Sequence, residues 1–449
     1  MSDFLSVCQI AEGTNGTIVG GCGNTQAAAV CTNSKTVKDG DCFFAIKGDK
    51  FDGHDFVAQA LESGAACAVV EKGFTCLGCE KAVIEVDNTT AALGRLAAYY
   101  RNTLTAKVIG ITGSVGKTST RDIIAQVIST KYKCHSAKKS FNNHIGLPLT
   151  ILETPRDCEV LVLELGTNHP GEIAYLTKIA RPDIAVITKV APSHLEYFGT
   201  IENIAAEKAT IAHGLTKNGK LIVNADSREL LNYLNANNIR YQAYDIAGKA
   251  ETFGEYGNIC PEGRPIRIPL AGKGNLENAM AAYLVCREAG LSAQEFEKAV
   301  SGLQPADMRL NVTDTGCFRI INDCYNANPQ SMANAIDALA KLKKPGARSV
   351  LICGDMKELG SGSKMYHIQL GAQAADARID VIAAVGQFAQ TVTAAAKRGR
   401  GSIETFEFPD TDSLCNELCG IVKAGDTILI KGSRSVGLEK AVKKLDECK

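Results

Sequence analysis

The chain lacks a charge bias: 49 basic and 49 acidic side chains leave a formal net charge of +0. That excludes a basic field of the kind that draws nucleic acid or an anionic membrane surface. It also lacks any stretch near the roughly 18 consecutive apolar residues that cross a bilayer. The opening MSDFLSVCQIAEG has no basic segment followed by a long apolar one, so no secretory signal is expected. No short-period repeat or low-complexity tract appears. Cysteine is not scarce, at 17, but paired spacing is: Cys76 and Cys79 in TCLGCEK have no second pair after them to complete a zinc site. An odd number of thiols, scattered through runs such as DCFFAI and VLICGD, reads as reduced, buried, small apolar residues in a cytosol.

What is present fits an α/β protein, with 45% hydrophobic residues in a chain of 449. The length suggests about three domains. Apolar runs at 42–46, 67–70 and 82–86 surround the helix-like FVAQALESGA, and NTTAALGRLAAYYRNTL leads out of this small unit. A second unit begins with KVIGIT (107–112) and continues through VLVLEL (160–165), DIAVITKV (183–190) and KLIVNAD (220–226), with helical stretches between. Strands alternating with helices imply a mainly parallel sheet covered on both faces. LAGKGNLENAMAAYLV closes it by opening another helix. The third unit carries FRIIND, RSVLICGD, DVIAAVG and DTILIKGS, a Rossmann-like rhythm. The expected divisions are 1–106, 107–308 and 309–449.

One glycine is also missing. In VIGITGSVGKTSTRD the usual phosphate-loop pattern wants a glycine where Ile111 stands. The rest is in order: a strand, then Gly113, Ser114, Val115, Gly116, Lys117, Thr118 and Ser119 opening a helix. Backbone N–H groups and the helix dipole there suit a phosphate. Lys117 would reach the β- and γ-phosphates, and the Thr118 hydroxyl would bind Mg²⁺. Glu164 ends one strand and His194 follows another, so both fall at the carboxyl edge of the sheet beside the loop. A carboxylate and an imidazole beside a triphosphate suggest metal ligands. Taken singly, Glu164 is equally a helix-cap neighbour and His194 a solvated loop residue.

The segments ITGSVGKTS, LELGTNHPGEI, SHLEYFG, AAEKATI, NLENAMAAY, MRL, NDCYNANPQSM, GDMKELG and KGSRSVGLE resemble the ATP-dependent Mur ligases. They occur in that family's order and span the chain almost end to end. NDCYNANPQSM, GDMKELG and DCFFAIKGDKFDGHDF are similar to the MurF-type branch, and no DNPR-type motif of the sibling that adds the third residue is found. The resemblance implies a cytoplasmic, monomeric enzyme of peptidoglycan precursor synthesis. It would use ATP and Mg²⁺, two ions by expectation, to join D-alanyl-D-alanine to UDP-N-acetylmuramoyl-tripeptide, with an acyl phosphate between. The other readings are a different Mur-type or folylpolyglutamate-type ligase, or a non-catalytic nucleotide-binding scaffold.

The same resemblance implies roles. Thr118, Glu164 and His194 serve the metals. Lys208 matches a position that many members carry as a carbamate, an anion that would help hold a second Mg²⁺, although by spacing alone it reads as a surface lysine of a helix. Asn275 and Asn278 match the adenine contacts, with Gly274 standing where the family has histidine. Arg309 approaches the phosphates, Asp323 the ribose, and Tyr325, Asn326 and Asn328 the dipeptide. In the first unit Ser34, Lys35, Lys47, Gly48, Asp52 and His54 match the UDP-sugar end, with Lys35 in place of the family's arginine. Asn142, Asn143, Asn168 and His169 would face the muramoyl-peptide.

Overall fold

The computed structural model describes residues 4–48, 50–74, 80–137 and 140–448. Cys76 and Cys79 lie outside them. Each apolar run quoted above becomes a strand, and burial explains why. Val160–Glu164, Ile184–Ile187 and Ser349–Gly354 are buried at every position, as strands flanked by helices on both faces must be.

The first unit holds a five-stranded sheet in the order Thr17–Val19, Ala82–Val86, Cys67–Glu71, Cys42–Phe44, Val30–Cys31, parallel except for its first strand. The helix Thr89–Arg101 leaves it, capped by Asn88, which accepts from Ala91 N at 2.8 Å.

The central sheet has six strands, all parallel: Gln242–Tyr244, Lys220–Asn224, Ile184–Ile187, Lys107–Thr112, Val160–Glu164, Cys134–Ser136. Successive connections leave Lys107–Thr112 in opposite directions, which makes its carboxyl end the switch point where ligands bind in such sheets. A three-stranded antiparallel sheet, Ala250–Phe253, Tyr256–Ile259 and Ile266–Ile268, follows. Sequence reading did not anticipate it, because the first of these strands is only half-buried and carries no apolar run. The third unit has six strands rather than the four expected. Asn311–Asp314 adds an antiparallel edge and Glu404–Phe408 a parallel one.

A continuous apolar core runs from Phe4 through the helix Thr89–Arg101 to Leu234, joining the first unit to one face of the central sheet. The third unit has two cores, one on each face of its sheet, and Ala271 of the central unit joins one of them.

The reading of the cysteines needs correction. Cys419 and Cys448 form a disulfide, which ties the helix Thr411–Ile421 to the C-terminal turn, and Cys8 and Cys22 are exposed. Residues 29 apart come together only through packing, so spacing gave no sign of it. Cys42, Cys67, Cys158, Cys286, Cys324 and Cys353 are buried free thiols, as expected. No helix among the described residues is long and apolar enough to cross a membrane.

Candidate functional site

The missing glycine is explained by register. Ile111 is buried inside the strand and pairs with Glu164, so its side chain belongs to the core and the loop begins only at Gly113. Gly113 and Gly116 are required where they stand. Their φ angles are +149° and +92°, and a Cβ would lie 1.8 Å from Thr188 Oγ1 or 2.2 Å from Asn278 Oδ1. Ser114 N and Val115 N donate to Lys189 O at 2.9 and 3.2 Å, pinning the loop to the neighbouring strand end. The helix Lys117–Ile128 then starts with free N–H groups facing the crevice. Lys117 Nζ donates to Gly113 O at 2.7 Å, and burial lowers its pKa, with Glu164 opposing and Arg309 adding.

Thr118 sits at the centre of the site. Its hydroxyl donates to Glu164 Oε2 at 2.8 Å and accepts from Arg309 Nη2 at 3.0 Å. Glu164 is 1% exposed; Asn142 Nδ2 donates to its other oxygen at 2.8 Å, and Arg121 Nη1 approaches at 3.4 Å. Arg309 reaches Thr118 from the third unit, and its guanidinium lies 4.3 Å from the centroid of the Tyr325 ring. Met308 and Leu310, on either side of it, have φ of +53° and +50°, a left-handed conformation unusual for such residues. Leu310 N is held by Asp323 Oδ1 at 3.1 Å, and Asp323 is in turn paired with buried Lys431 at 2.7 Å. Asp323 thus sets the backbone that aims Arg309.

A cavity of about 870 Å³ opens above these groups, between the central and third units. Ser114 to Ser119, Glu164 and His194 line its central wall. Asn275 and Asn278 line one end, and Asn142, Asn143, Asn168 and His169 another side. Arg309, Asp323, Tyr325, Asn326 and Asn328 come from the third unit. Lys208 does not line the cavity. It is 2% exposed in the helix Ile201–Ala209, so it is no surface lysine; burial lowers its pKa well below the usual range, and Lys117 adds to this. Its neighbour Glu207 accepts from Gly171 N and Ile173 N, both at 2.8 Å, and so caps the helix Glu172–Ala180.

Several candidates also have local duties. Asn275 Nδ2 donates to Ala271 O at 2.9 Å, and Asn278 accepts from Thr120 at 3.2 Å against the phosphate loop. Asn143 caps Gly146 N at 2.8 Å and Asn328 caps Ser331 N at 2.9 Å. His169 rests on the Tyr197 ring at 4.4 Å. Ser34, Lys35, Lys47, Gly48, Asp52 and His54 lie in the first unit and do not line this cavity. There His54 uses both ring nitrogens internally. Nε2 accepts from Glu71 N at 2.9 Å, so the proton sits on Nδ1 and faces Asp52 Oδ1 at 2.6 Å.

Three profiles match: the Mur ligase family catalytic domain over residues 27–101, the Mur ligase middle domain over 111–286, and the Mur ligase glutamate ligase domain over 308–434. The UDP-N-acetylmuramoyl-tripeptide–D-alanyl-D-alanine ligase of Bacillus subtilis (strain 168) is 36% identical over 98% of this chain and 98% of its own. The chain belongs to the Mur ligase family. A crystal structure of MurF from Acinetobacter baumannii matches with a TM-score of 0.88 at 29% identity, covering 98% of each chain. MurF ligase from Thermotoga maritima, solved in complex with ADP, matches with 0.80 at 28% identity, over 94% of this chain and 97% of that one.

Two features of this Mur ligase escaped sequence reading. Gly274, where the family has histidine, faces Asn334 of the third unit: a Cβ there would meet Asn334 Nδ2 at 3.1 Å. Lys357, Glu358, Lys431 and Arg434 also line the cavity. Their signal was present in GDMKELG and KGSRSVG, charged segments directly after buried strands, but only the tertiary fold turns them toward the phosphate loop.

Proposed function

We infer that this chain is an ATP-dependent amide ligase that adds D-alanyl-D-alanine to UDP-N-acetylmuramoyl-tripeptide, releasing ADP and phosphate. One observation carries the reading. Thr118, at the head of the phosphate-loop helix, joins Glu164 of the central unit to Arg309 of the third inside a shared polar cavity. A simple nucleotide switch has no need of a second α/β unit that returns an arginine to the phosphates.

An amide does not form from a free carboxylate at a useful rate, because oxide is too poor a leaving group. ATP supplies a better one. The tripeptide carboxylate attacks the γ-phosphorus, and the bond to the β-phosphate oxygen breaks to give acyl phosphate and ADP. The dipeptide amine then attacks the acyl carbon, loses a proton, and phosphate departs. Two anions meet in the first step, so Lys117, Arg309 and the helix N-terminus stabilise the charge gathered there. Asn275 and Asn278 are assigned to the base. Asp323 acts through Arg309 as well as lining the nucleotide side.

Mg²⁺ fits the donors present. One hydroxyl and one carboxylate beside a phosphate cradle are hard oxygen ligands, and Mg²⁺ usually takes few protein ligands plus phosphates and water. Thr118 and Glu164 would hold it, with His194 toward a second ion; the cations would neutralise phosphate charge. Lys208, buried and held toward its neutral form, suits carbamate formation with CO₂, which converts it to an anion. Asn142, Asn143, Asn168 and His169 face the muramoyl-peptide, and Tyr325, Asn326 and Asn328 the dipeptide. The first unit takes the UDP end through Ser34, Lys35, Lys47, Gly48 and Asp52, with His54 ordering the turn. The division at 107 and 309 thus separates donor, nucleotide and acceptor functions, in a monomer working in the cytoplasm.

The test is phosphate release from ATP. It is expected only when the tripeptide substrate and D-alanyl-D-alanine are both present; release with folate or a single D-amino acid but not the dipeptide overturns the reading. Removing CO₂ and bicarbonate should lower turnover and adding bicarbonate restore it, whereas Lys208→Ala should be nearly inactive in both conditions.

A further inference from the structure

The segment 355–360 of the third unit lines the cavity with Lys357 and Glu358 and meets the segment around His194. Its base is rigid. Asp355 is 2% exposed and accepts from Gln387 N and Phe388 N, both at 3.0 Å, while Lys357 N donates to Ser433 Oγ at 3.0 Å. Its tip is strained: Glu358 has φ +63°, and facing it His194 has φ +51°. These two residues touch. His194 Nδ1 is buried, and Glu358 Oε2 faces it at 2.5 Å. The backbone adds a second contact, Glu196 N to Glu358 O at 3.3 Å. His194 itself lines the cavity.

We propose that Glu358 is a positioning residue for His194: its carboxylate holds the Nδ1 side of the ring from across the domain junction and turns Nε2 toward the phosphates. A carboxylate behind an imidazole fixes the tautomer with the proton on Nδ1 and leaves Nε2 as the donor for a cation. Because Glu358 belongs to the third unit, the imidazole is set for a cation only when that unit lies against the central one. Closure therefore completes the cation site as well as delivering Arg309. Two left-handed residues meeting tip to tip are what such a gate needs, since neither conformation is favourable without the contact.

The proposal rests on the cation reading of His194, and the experiment separates the two. Mn²⁺ is titrated into the full-length enzyme with a non-hydrolysable ATP analogue, and free Mn²⁺ is followed by electron paramagnetic resonance. Glu358→Gln should weaken the more loosely held Mn²⁺ about tenfold, in the range seen when such partners are removed. Glu358→Asp should recover part of it, and the circular dichroism melting curve should not move. The Mg²⁺ concentration giving half-maximal turnover should rise in parallel while KM for the UDP substrate stays constant. Unchanged Mn²⁺ binding in Glu358→Gln, with His194→Ala weakened, overturns the role of Glu358 alone. Unchanged binding in His194→Ala overturns the cation reading and the proposal together.

Discussion

The two junctions between the three α/β units are built from opposite chemistry. Between the first and second, the helix Thr89–Arg101 presses Leu93 and Leu96, both buried, into a core shared with Leu147 and Ile151. Gly94 lets it approach so closely that a Cβ would lie 2.1 Å from the Tyr175 hydroxyl. Tyr100 closes the seam by donating to Thr154 O at 2.9 Å. Between the second and third units the contacts are mainly polar: Arg309 to Thr118, Glu358 to His194, and Arg319 to Glu255 at 3.1 Å. Apolar contact is also made there: Leu310 and Ala338 lie against Gly272, and Ala271 joins a core of the third unit. Apolar burial stabilises by about 25 cal/mol per Å² and is lost as a whole. Exposed ion contacts contribute little net free energy, typically about 0–1 kcal/mol each, because water replaces them. By these contacts the first junction resists separation more than the second, and the second is the one expected to open during turnover.

Substitutions at each junction should therefore fail in different ways. Arg309→Ala should lower kcat by about 10²–10³-fold, the usual cost of losing a charge-stabilising donor. Its urea unfolding midpoint should match that of the parent; an equal loss of stability would place Arg309 in the scaffold instead. Leu96→Ala should do the reverse, destabilising the chain by about 2–5 kcal/mol in urea unfolding while kcat at 25 °C persists. A fall in kcat with unchanged stability would show that the apolar junction also moves during turnover. Tyr325→Ala should remove the ring under Arg309 and cost about 0.5–2 kcal/mol of transition-state stabilisation. Tyr325→Phe keeps the ring face and should stay close to the parent in kcat. The smallest effect is that of salt. Raising it toward 1 M shortens the screening length to about 3 Å, which should weaken the second junction and enlarge the radius of gyration by X-ray scattering. The apolar junction should show no such response.

Much of the site was legible before folding, for local reasons. A buried strand running into a glycine turn and a Lys-Thr pair carries its geometry within about a dozen residues, and Lys107–Thr112 followed by Lys117–Ile128 matches that reading. Glu164 was placed correctly because parallel strands end on one side of their sheet. Asp323 shows where such reasoning stops. Sequence suggested a ribose contact, whereas the fold also engages it with Lys431 and Leu310 N. Glu358 stood in a charged segment and Asn334 in a helix, but their partners His194 and Gly274 lie far back in the chain, so neither contact was legible locally.

Sequence alone determined the strand-helix alternation, the phosphate cradle and the family, because each depends on residues close together or on many short matches in order. Only the tertiary structure decided that Ile111 is core, that Lys208 is buried beside Lys117, that Cys419 meets Cys448, and that one junction is apolar while the other is mainly polar. Those outcomes depend on which surfaces meet, and burial and pairing are properties of two surfaces rather than of either segment alone.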